Sequence, residues 1–199
     1  MTLEGIKQQI IHDDSNDWAT RQGWLPVYTA GETARILIVG QAPGIRAQTS
    51  HTPWNDASGQ NLRDWLGVSY ETFYDSNQIA LVPMDFYFPG SGARGDLPPR
   101  KDFAQRWHPL LLKEMPNIQL TILVGKYAQD HYLKDGVKES LTATVQTYKD
   151  YLPNIIPIIH PSPRNNIWHK KHPWFKTEIV PVLRETVASI LNDQRPSKN

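Results

Sequence analysis

Short apolar runs alternate with amphipathic stretches along the chain. Four runs rich in β-branched residues have the composition of strands buried on both faces of a parallel sheet, and they cover residues 35–39, 79–84, 118–124 and 155–159. The stretches between them place apolar residues at helical spacing and predict helices at residues 2–13, 59–66, 69–75, 101–115, 126–133, 137–149 and 173–191. This alternation predicts an α/β fold with three layers, α/β/α, around a central four-stranded parallel sheet.

The chain is predicted to form a single domain over residues 1–199. A length of 199 residues is usual for one domain and is enough for a sizeable core. We expect that core to lie within about residues 35–190. Residues 1–34 are expected to add an N-terminal helix and an irregular segment, in which Trp18 and Trp24 stand among polar residues.

The first predicted strand ends in a turn that suits a ligand site. Residues 40–44 read GQAPG, and glycines and a proline there let backbone N–H groups approach a ligand closely. Open α/β sheets place their sites at this end of the strands. Trp54 and Asp56, two positions apart before the predicted helix at 59–66, would add a π-face and a carboxylate. The same stretch also fits an ordinary strand–loop–helix connection, in which Asp56 stabilises the start of the helix.

A second motif follows the last predicted strand. It reads HPSPRN at residues 160–165, and the Pro-Ser-Pro sequence after His160 restrains the backbone that carries this histidine. Because both motifs follow C-terminal ends of parallel strands, we expect Asp56 and His160 to converge at one edge of the sheet. The alternative for His160 is a strand-end histidine whose hydrogen bonds are made by backbone groups.

Together the two motifs, in this order and with an aromatic-x-Asp between them, resemble the uracil-DNA glycosylase superfamily. The resemblance spans roughly residues 35–190. It implies an enzyme of base excision repair that flips a deaminated base, such as uracil, out of DNA and hydrolyses its N-glycosidic bond. DNA, single- or double-stranded, is therefore the expected partner.

The resemblance also suggests catalytic roles. Glycosidic hydrolysis needs a carboxylate near the cationic sugar and a donor at the departing base. One branch of the superfamily has an apolar residue in the first motif, as Ala42 is here, and takes its carboxylate from a downstream Asp-x-Ser-Gly, which assigns that role to Asp56. His160 is the expected donor, and Gln41 stands where another branch has a glutamate and can orient a water.

The expected base pocket combines both motifs with the end of the second strand. Trp54 falls where the family places an aromatic that stacks on the base. Gly44 replaces a tyrosine that blocks the thymine methyl in the best-known branch, which implies a wider pocket. Asp85 lies nearest to the family's uracil-reading asparagine and would need a raised pKa or a facing donor to read a base edge; alternatively it caps a loop. The predicted base-binding residues are Gly40, Ala42, Gly44, Trp54, Met84, Asp85 and Phe86.

A DNA-contacting surface is predicted around the second motif, where the family inserts a wedge into the minor groove. Its predicted members are Ser162, Arg164, Asn165, Asn166 and Lys170, with Arg94, Arg100 and Lys101 on the other side of the groove. The basic stretch at residues 168–172 also fits a solvated turn. Since the net charge is only +1, DNA binding must come from such local clustering.

The composition excludes several kinds of site. The chain has no cysteine, which excludes disulfides, thiolate zinc sites and cysteine-ligated iron–sulfur clusters. The nucleotide motifs GxxxxGKS/T and GxGxxG and the zinc motif HExxH do not occur. We therefore expect neither a metal nor an organic cofactor. Neither motif contains a lysine, which favours a monofunctional hydrolase over a Schiff-base lyase.

Two further expectations concern the location of the protein and the other functions that its sequence fits. No apolar run approaches membrane-spanning length and residues 1–10 lack the apolar core of a signal peptide, so we expect a cytoplasmic monomer with no membrane partner. The apolar Ala42 in the first motif and the absence of the family's uracil-reading asparagine also fit a non-catalytic nucleic-acid-binding relative. The α/β pattern also fits a hydrolase of a small nucleoside-like ligand. Formation of abasic DNA would disfavour the first rival, and salt-dependent DNA binding the second.

Overall fold

The computed structural model describes residues 1–93 and 95–193, and its strands confirm the predicted parallel sheet. In chain order the strands are β1 (Ile36–Val39), β2 (Ile79–Leu81), β3 (Ser91–Gly92), β4 (Gly95–Asp96), β5 (Leu120–Val124) and β6 (Ile155–Ile158). Among the described residues, β1, β2, β5 and β6 form one parallel sheet in the order β2-β1-β5-β6. The short strands β3 and β4 form a separate antiparallel hairpin.

Helices connect the strands and cover the sheet. They are α1 (Leu3–Ile11), α2 (Asp17–Thr20), α3 (Ile45–Ser50), α4 (Ala57–Leu66), α5 (Tyr70–Tyr74), α6 (Phe103–Lys113), α7 (Lys126–Leu133), α8 (Leu141–Gln146), α9 (Asn166–Lys171) and α10 (Val180–Asn192). A π-helical segment, Phe175–Ile179, leads into α10. No helix in the described part of the chain is long and apolar enough to cross a membrane.

Two hydrophobic cores lie on the two faces of the sheet. Ile36 and Ile38 of β1 join a core that includes residues of α4 and α10, whereas Leu37 and Val39 join a core that includes residues of α1 and α6. All four side chains are buried. Burial on both faces explains why β1 is a continuous apolar run rather than an alternating one, and it gives the predicted three layers.

The structure contains elements that the hydrophobic pattern does not reveal. Helix α3 lies between the GQAPG turn and Trp54, and its sequence IRAQTS has no apolar stripe. It is fixed by tertiary bonds, because the buried Gln48 amide donates to the Leu25 carbonyl and accepts from the Phe88 N–H. The β3–β4 hairpin lies between the predicted strand at 79–84 and the predicted helix at 101–115, where the pattern predicts neither a strand nor a helix. The predicted helix at 137–149 is shortened to α8.

All strands of the main sheet point in the same direction, so their C-terminal ends share one edge. The GQAPG turn follows β1, Pro83 follows β2, and His160 follows β6 at that edge. The two sequence motifs are therefore neighbours in space, although β1 and β6 are separated by β5 in the sheet.

Candidate active site

A cavity of about 780 Å³ opens at the C-terminal edge of the sheet. One wall is the GQAPG turn, followed by Trp54 and Asp56. A second wall is the β3–β4 hairpin, which includes Asp96. His160 and Arg164 complete the lining from the second motif. The structure thus brings the GQAPG turn together with His160, Ser162 and Arg164 of the second motif in one cavity.

Trp54 is held against the GQAPG turn by two close contacts with glycines. A Cβ atom added to Gly40 would lie 2.7 Å from the Trp54 ring, and one added to Gly59 would lie 1.8 Å from the Trp54 carbonyl oxygen. Trp54 itself has a left-handed backbone conformation, with φ of 58°, which is strained for a bulky residue. Glycine at position 40 leaves room for the aromatic ring beside the turn, and glycine at position 59 leaves room for the Trp54 backbone.

Asp56 begins helix α4. Its Oδ1 accepts a hydrogen bond of 2.9 Å from the Gly59 N–H, which is an N-cap. The residue also lines the cavity and is exposed. The helix-capping alternative therefore describes part of what Asp56 does, and it fixes the carboxylate at the cavity wall.

His160 is positioned through the backbone of its own motif. The Asn165 side-chain amide donates to the His160 carbonyl at 2.7 Å, and the Asn61 amide of α4 donates to the Pro161 carbonyl at 2.9 Å. The imidazole lies beside the Trp54 ring, with 5.6 Å between ring centroids. Neither ring nitrogen of His160 has a hydrogen-bond partner among residues 1–93 and 95–193, so both nitrogens remain available to a ligand.

The charge state of His160 follows from burial. Burial lowers the pKa of His160 below the ordinary value of 6.5, while the nearby negative charges of Asp56 and Asp96 oppose that shift. Because the lowering prevails, the imidazole is neutral at neutral pH. A neutral imidazole can donate through one nitrogen and accept through the other.

Gln41 links two walls of the cavity. Its Nε2 donates to the Leu97 carbonyl at 3.1 Å, which ties the GQAPG turn to the residue that follows β4. The sequence analysis predicts that Gln41 orients a water molecule. In the structure its amide nitrogen is occupied by this tie, and its amide oxygen has no partner in the described residues.

The predicted base readers after β2 do not reach the cavity. Met84, Asp85 and Phe86 are buried and are not among its lining residues. Both oxygens of Asp85 accept hydrogen bonds from Arg100, and they also accept the N–H groups of Tyr87 and Arg100. We therefore correct the assignment of these three side chains to the base. Asp85 instead fixes a loop, as in the alternative interpretation of the sequence. Arg100 pairs with Asp85 rather than with DNA.

The predicted DNA-contacting residues fall into two groups. Arg164, Asn166 and Lys170 are exposed, Arg164 at the cavity and Lys170 on α9. In contrast, the Asn165 amide is occupied by the His160 carbonyl, and the Ser162 hydroxyl accepts from the Arg164 N–H. The Asn165 amide thus positions the histidine motif, and its contact with DNA stays a prediction. The predicted turn at residues 168–172 forms helix α9 up to Lys171. The exposed Lys101 is not at the cavity, and Arg94 lies outside the described residues.

Comparison with known proteins shows the family to which the chain belongs. A family model of the uracil DNA glycosylase superfamily matches residues 26–184, which is most of the chain. The chain belongs to the uracil DNA glycosylase superfamily. A solution NMR structure from Methanosarcina acetivorans, named "putative Uracil DNA glycosylase", is similar with a TM-score of 0.48 and 17% identity, covering 82% of this chain and 96% of that one.

This superfamily member carries a cavity residue that sequence reasoning missed. Asp96 of β4 lines the cavity, and its charge acts on His160. Its Oδ2 lies 3.6 Å from the position that a Cβ on Gly44 would occupy. The only sign of it in the sequence is the Gly- and Pro-rich composition of residues 91–100, which is typical of a long and often functional loop but does not indicate which side chain matters.

The donor set of the cavity does not match a metal site. In the described ranges, no group of three or more His, Asp or Glu side chains could hold a metal ion. What the cavity offers is an aromatic face, a neutral imidazole with free nitrogens, two carboxylates and the backbone of a glycine-rich turn.

Proposed function

We propose that this chain is a monofunctional DNA glycosylase that hydrolyses the N-glycosidic bond of uracil or another deaminated base in DNA. The observation that carries the proposal is the meeting of Trp54, Asp56 and His160 in one cavity at the C-terminal edge of the sheet. Membership of the superfamily supports glycosylase chemistry and DNA as the partner.

Each side chain has a role that follows from its surroundings. The Trp54 ring offers a π-face, and stacking contributes about 1–3 kcal/mol per base with little preference among bases. The capped Asp56 carboxylate supplies fixed negative charge against the cationic sugar of the transition state. The neutral His160 ring donates a hydrogen bond to the departing base, on which negative charge develops.

The approach of DNA is assigned to the exposed basic side chains near the cavity. Arg164 at the cavity and Lys170 on α9 are free to contact phosphates, which provide most of the sequence-independent affinity. This assignment makes base excision separable from DNA binding, because it gives the chemistry to Asp56 and His160 and the phosphate contacts to the cations Arg164 and Lys170.

The decisive experiment is single-turnover excision on oligonucleotides that carry one uracil, hypoxanthine, xanthine or mismatched thymine, followed by alkaline cleavage of abasic sites. We expect His160→Ala to slow excision of the preferred base by about 10²–10³, the usual effect of removing one preorganised donor. Asp56→Asn should also slow it, because asparagine keeps a capping oxygen and loses only the charge.

Matched controls separate chemistry from folding. His12 and Asp102 are exposed and do not line the cavity, so His12→Ala and Asp102→Asn should retain full rate. All variants should keep the wild-type circular dichroism spectrum and DNA affinity. Excision at wild-type rate by both cavity variants would refute the assigned roles, and DNA binding without excision of any base would favour a non-catalytic relative.

A further inference from the structure

The cavity contains two carboxylates whose surroundings differ. Asp56 caps α4, and its Oδ1 already accepts the Gly59 N–H at 2.9 Å. Asp96 also lines the cavity, yet neither of its side-chain oxygens accepts a hydrogen bond from any described residue. The helix start therefore holds one oxygen of Asp56 in place, whereas both oxygens of Asp96 are open to a water molecule in the cavity.

The backbone of Asp96 is fixed although its side chain is free. Asp96 pairs with Ser91 across the hairpin, and the Leu97 N–H donates to the Gly90 carbonyl at 2.8 Å. The Gln41 amide holds the Leu97 carbonyl from the GQAPG turn. These bonds keep the carboxylate beside Gly44, where its Oδ2 faces the turn. A fixed backbone with an open carboxylate is the arrangement that proton abstraction requires.

We propose, on the basis of the proposed function, that Asp96 is the general base of glycosidic hydrolysis. The oxygen of a water molecule forms the new bond to C1′ of the sugar, and one proton of that water passes to the Asp96 carboxylate. The C1′–N bond breaks, and its electron pair leaves with the base, which accepts a hydrogen bond from His160. The two carboxylates then divide the chemistry: Asp56 provides charge opposite the sugar, and Asp96 activates the water.

The test is single-turnover excision by Asp96→Ala on the base that the wild type prefers, with and without added formate. We expect a loss of about 10²–10⁴ in rate, the usual contribution of general base catalysis. Formate should restore about tenfold or more, because a small carboxylate can occupy the vacated space and accept the proton. Asp96→Asn should be similarly slow but should not respond to formate, since its amide fills that space.

Two variants serve as references. Asp56→Ala should be slow without a formate response, because its loss removes a helix cap as well as a charge. Asp102→Ala alters an exposed aspartate remote from the cavity lining and should excise at wild-type rate. Circular dichroism and binding to abasic DNA should be unchanged in Asp96→Ala, since the side chain is exposed and makes no hydrogen bond to the described residues.

The outcomes distinguish this assignment from the proposed function. If the wild type excises no base, the proposed function fails and the role of Asp96 fails with it. If the wild type is active and Asp96→Ala retains its rate, only the role of Asp96 is wrong. A slow Asp96→Ala without formate rescue, together with a fully active Asp96→Asn, would show a structural role and would also overturn the assignment.

Discussion

The connection between β2 and α6 has two halves, and the aspartates in these halves differ in exposure and in hydrogen bonding. In the first half, residues 83–88, Asp85 is 1% exposed and both of its oxygens are bonded to protein groups. In the second half, the β3–β4 hairpin, Asp96 is exposed and its carboxylate has no hydrogen bond to any described residue. Residues 83–88, which we call the anchor, are packed in the core, whereas the β3–β4 hairpin forms a wall of the cavity.

Further bonds explain the difference. In the anchor, the His108 Nε2–H donates to the Pro83 carbonyl at 2.9 Å, and the Tyr132 hydroxyl donates to Nδ1 at 2.7 Å. The hairpin has its backbone pairing and the tie from Gln41. An acidic residue after a strand is thus not by itself a sign of chemistry. What separates the two aspartates is whether the fold already uses their lone pairs.

The largest expected effect is on the anchor. Asp85→Asn should lower the free energy of unfolding by about 4 kcal/mol, because it leaves the Arg100 guanidinium without its buried charged partner. Urea unfolding measures this loss. Asp96→Asn is the matched control and should change stability by less than about 0.5 kcal/mol. Equal destabilisation by both substitutions would remove the distinction between the two halves.

The second effect concerns the pH dependence of the anchor. Burial lowers the pKa of His108 to about 4, from an ordinary value of 6.5. Between these values the unfolded chain binds the proton and the folded chain does not, so stability falls as pH decreases below 6.5. The loss attributable to His108 should reach about 3 kcal/mol at pH 4 and level off below it.

The contribution of His108 can be isolated by difference. His108→Gln removes the titrating group, so its unfolding free energy should depend less on pH than that of the wild type between pH 7 and pH 4. Urea unfolding at several pH values gives both curves, and an NMR titration of His108 checks the pKa directly. Parallel curves for the two proteins would mean that His108 is not held neutral by the anchor.

The smallest effect is expected at the tie between the turn and the hairpin. Gln41→Leu removes the hydrogen bond to Leu97 and should slow excision about tenfold, or about 1.4 kcal/mol, by loosening the position of Asp96. The unfolding free energy should fall by no more than about 1 kcal/mol. Gln8→Leu, on the exposed face of α1, is the control. An unchanged rate in Gln41→Leu would mean that the hairpin keeps its position without this bond.

The fold could be predicted because burial on both faces leaves a direct trace in sequence. Ile36 to Val39 are apolar at every position, and parallel strands of this kind place their C-terminal ends at one edge. That geometry brings the turn at 40–44 and His160 together without knowledge of any side-chain contact. Helix α3 escaped prediction because the buried polar bonds of Gln48 fix it, and such bonds have no periodicity.

The site was less predictable where it depends on hydrogen-bond partners distant in sequence. Asp85 was assigned to the base because it lies nearest to the family's uracil-reading asparagine, yet Arg100, 15 positions away, donates to both of its oxygens. Asn165 was assigned to DNA, yet its amide holds the His160 carbonyl. Asp96 was overlooked because the sequence of this region does not show that a hairpin places the side chain in the lining of the cavity.

Arg35, immediately before β1, connects the start of the sheet to its last helix. Its guanidinium donates to the carbonyl oxygens of Ile190, Leu191 and Asp193 at the end of α10, as many as 158 positions along the chain. During synthesis on the ribosome, these carbonyls emerge long after β1. The nascent chain therefore cannot form these hydrogen bonds until the end of α10 has left the ribosome, so the start of β1 is tied to the last helix only after synthesis of that helix.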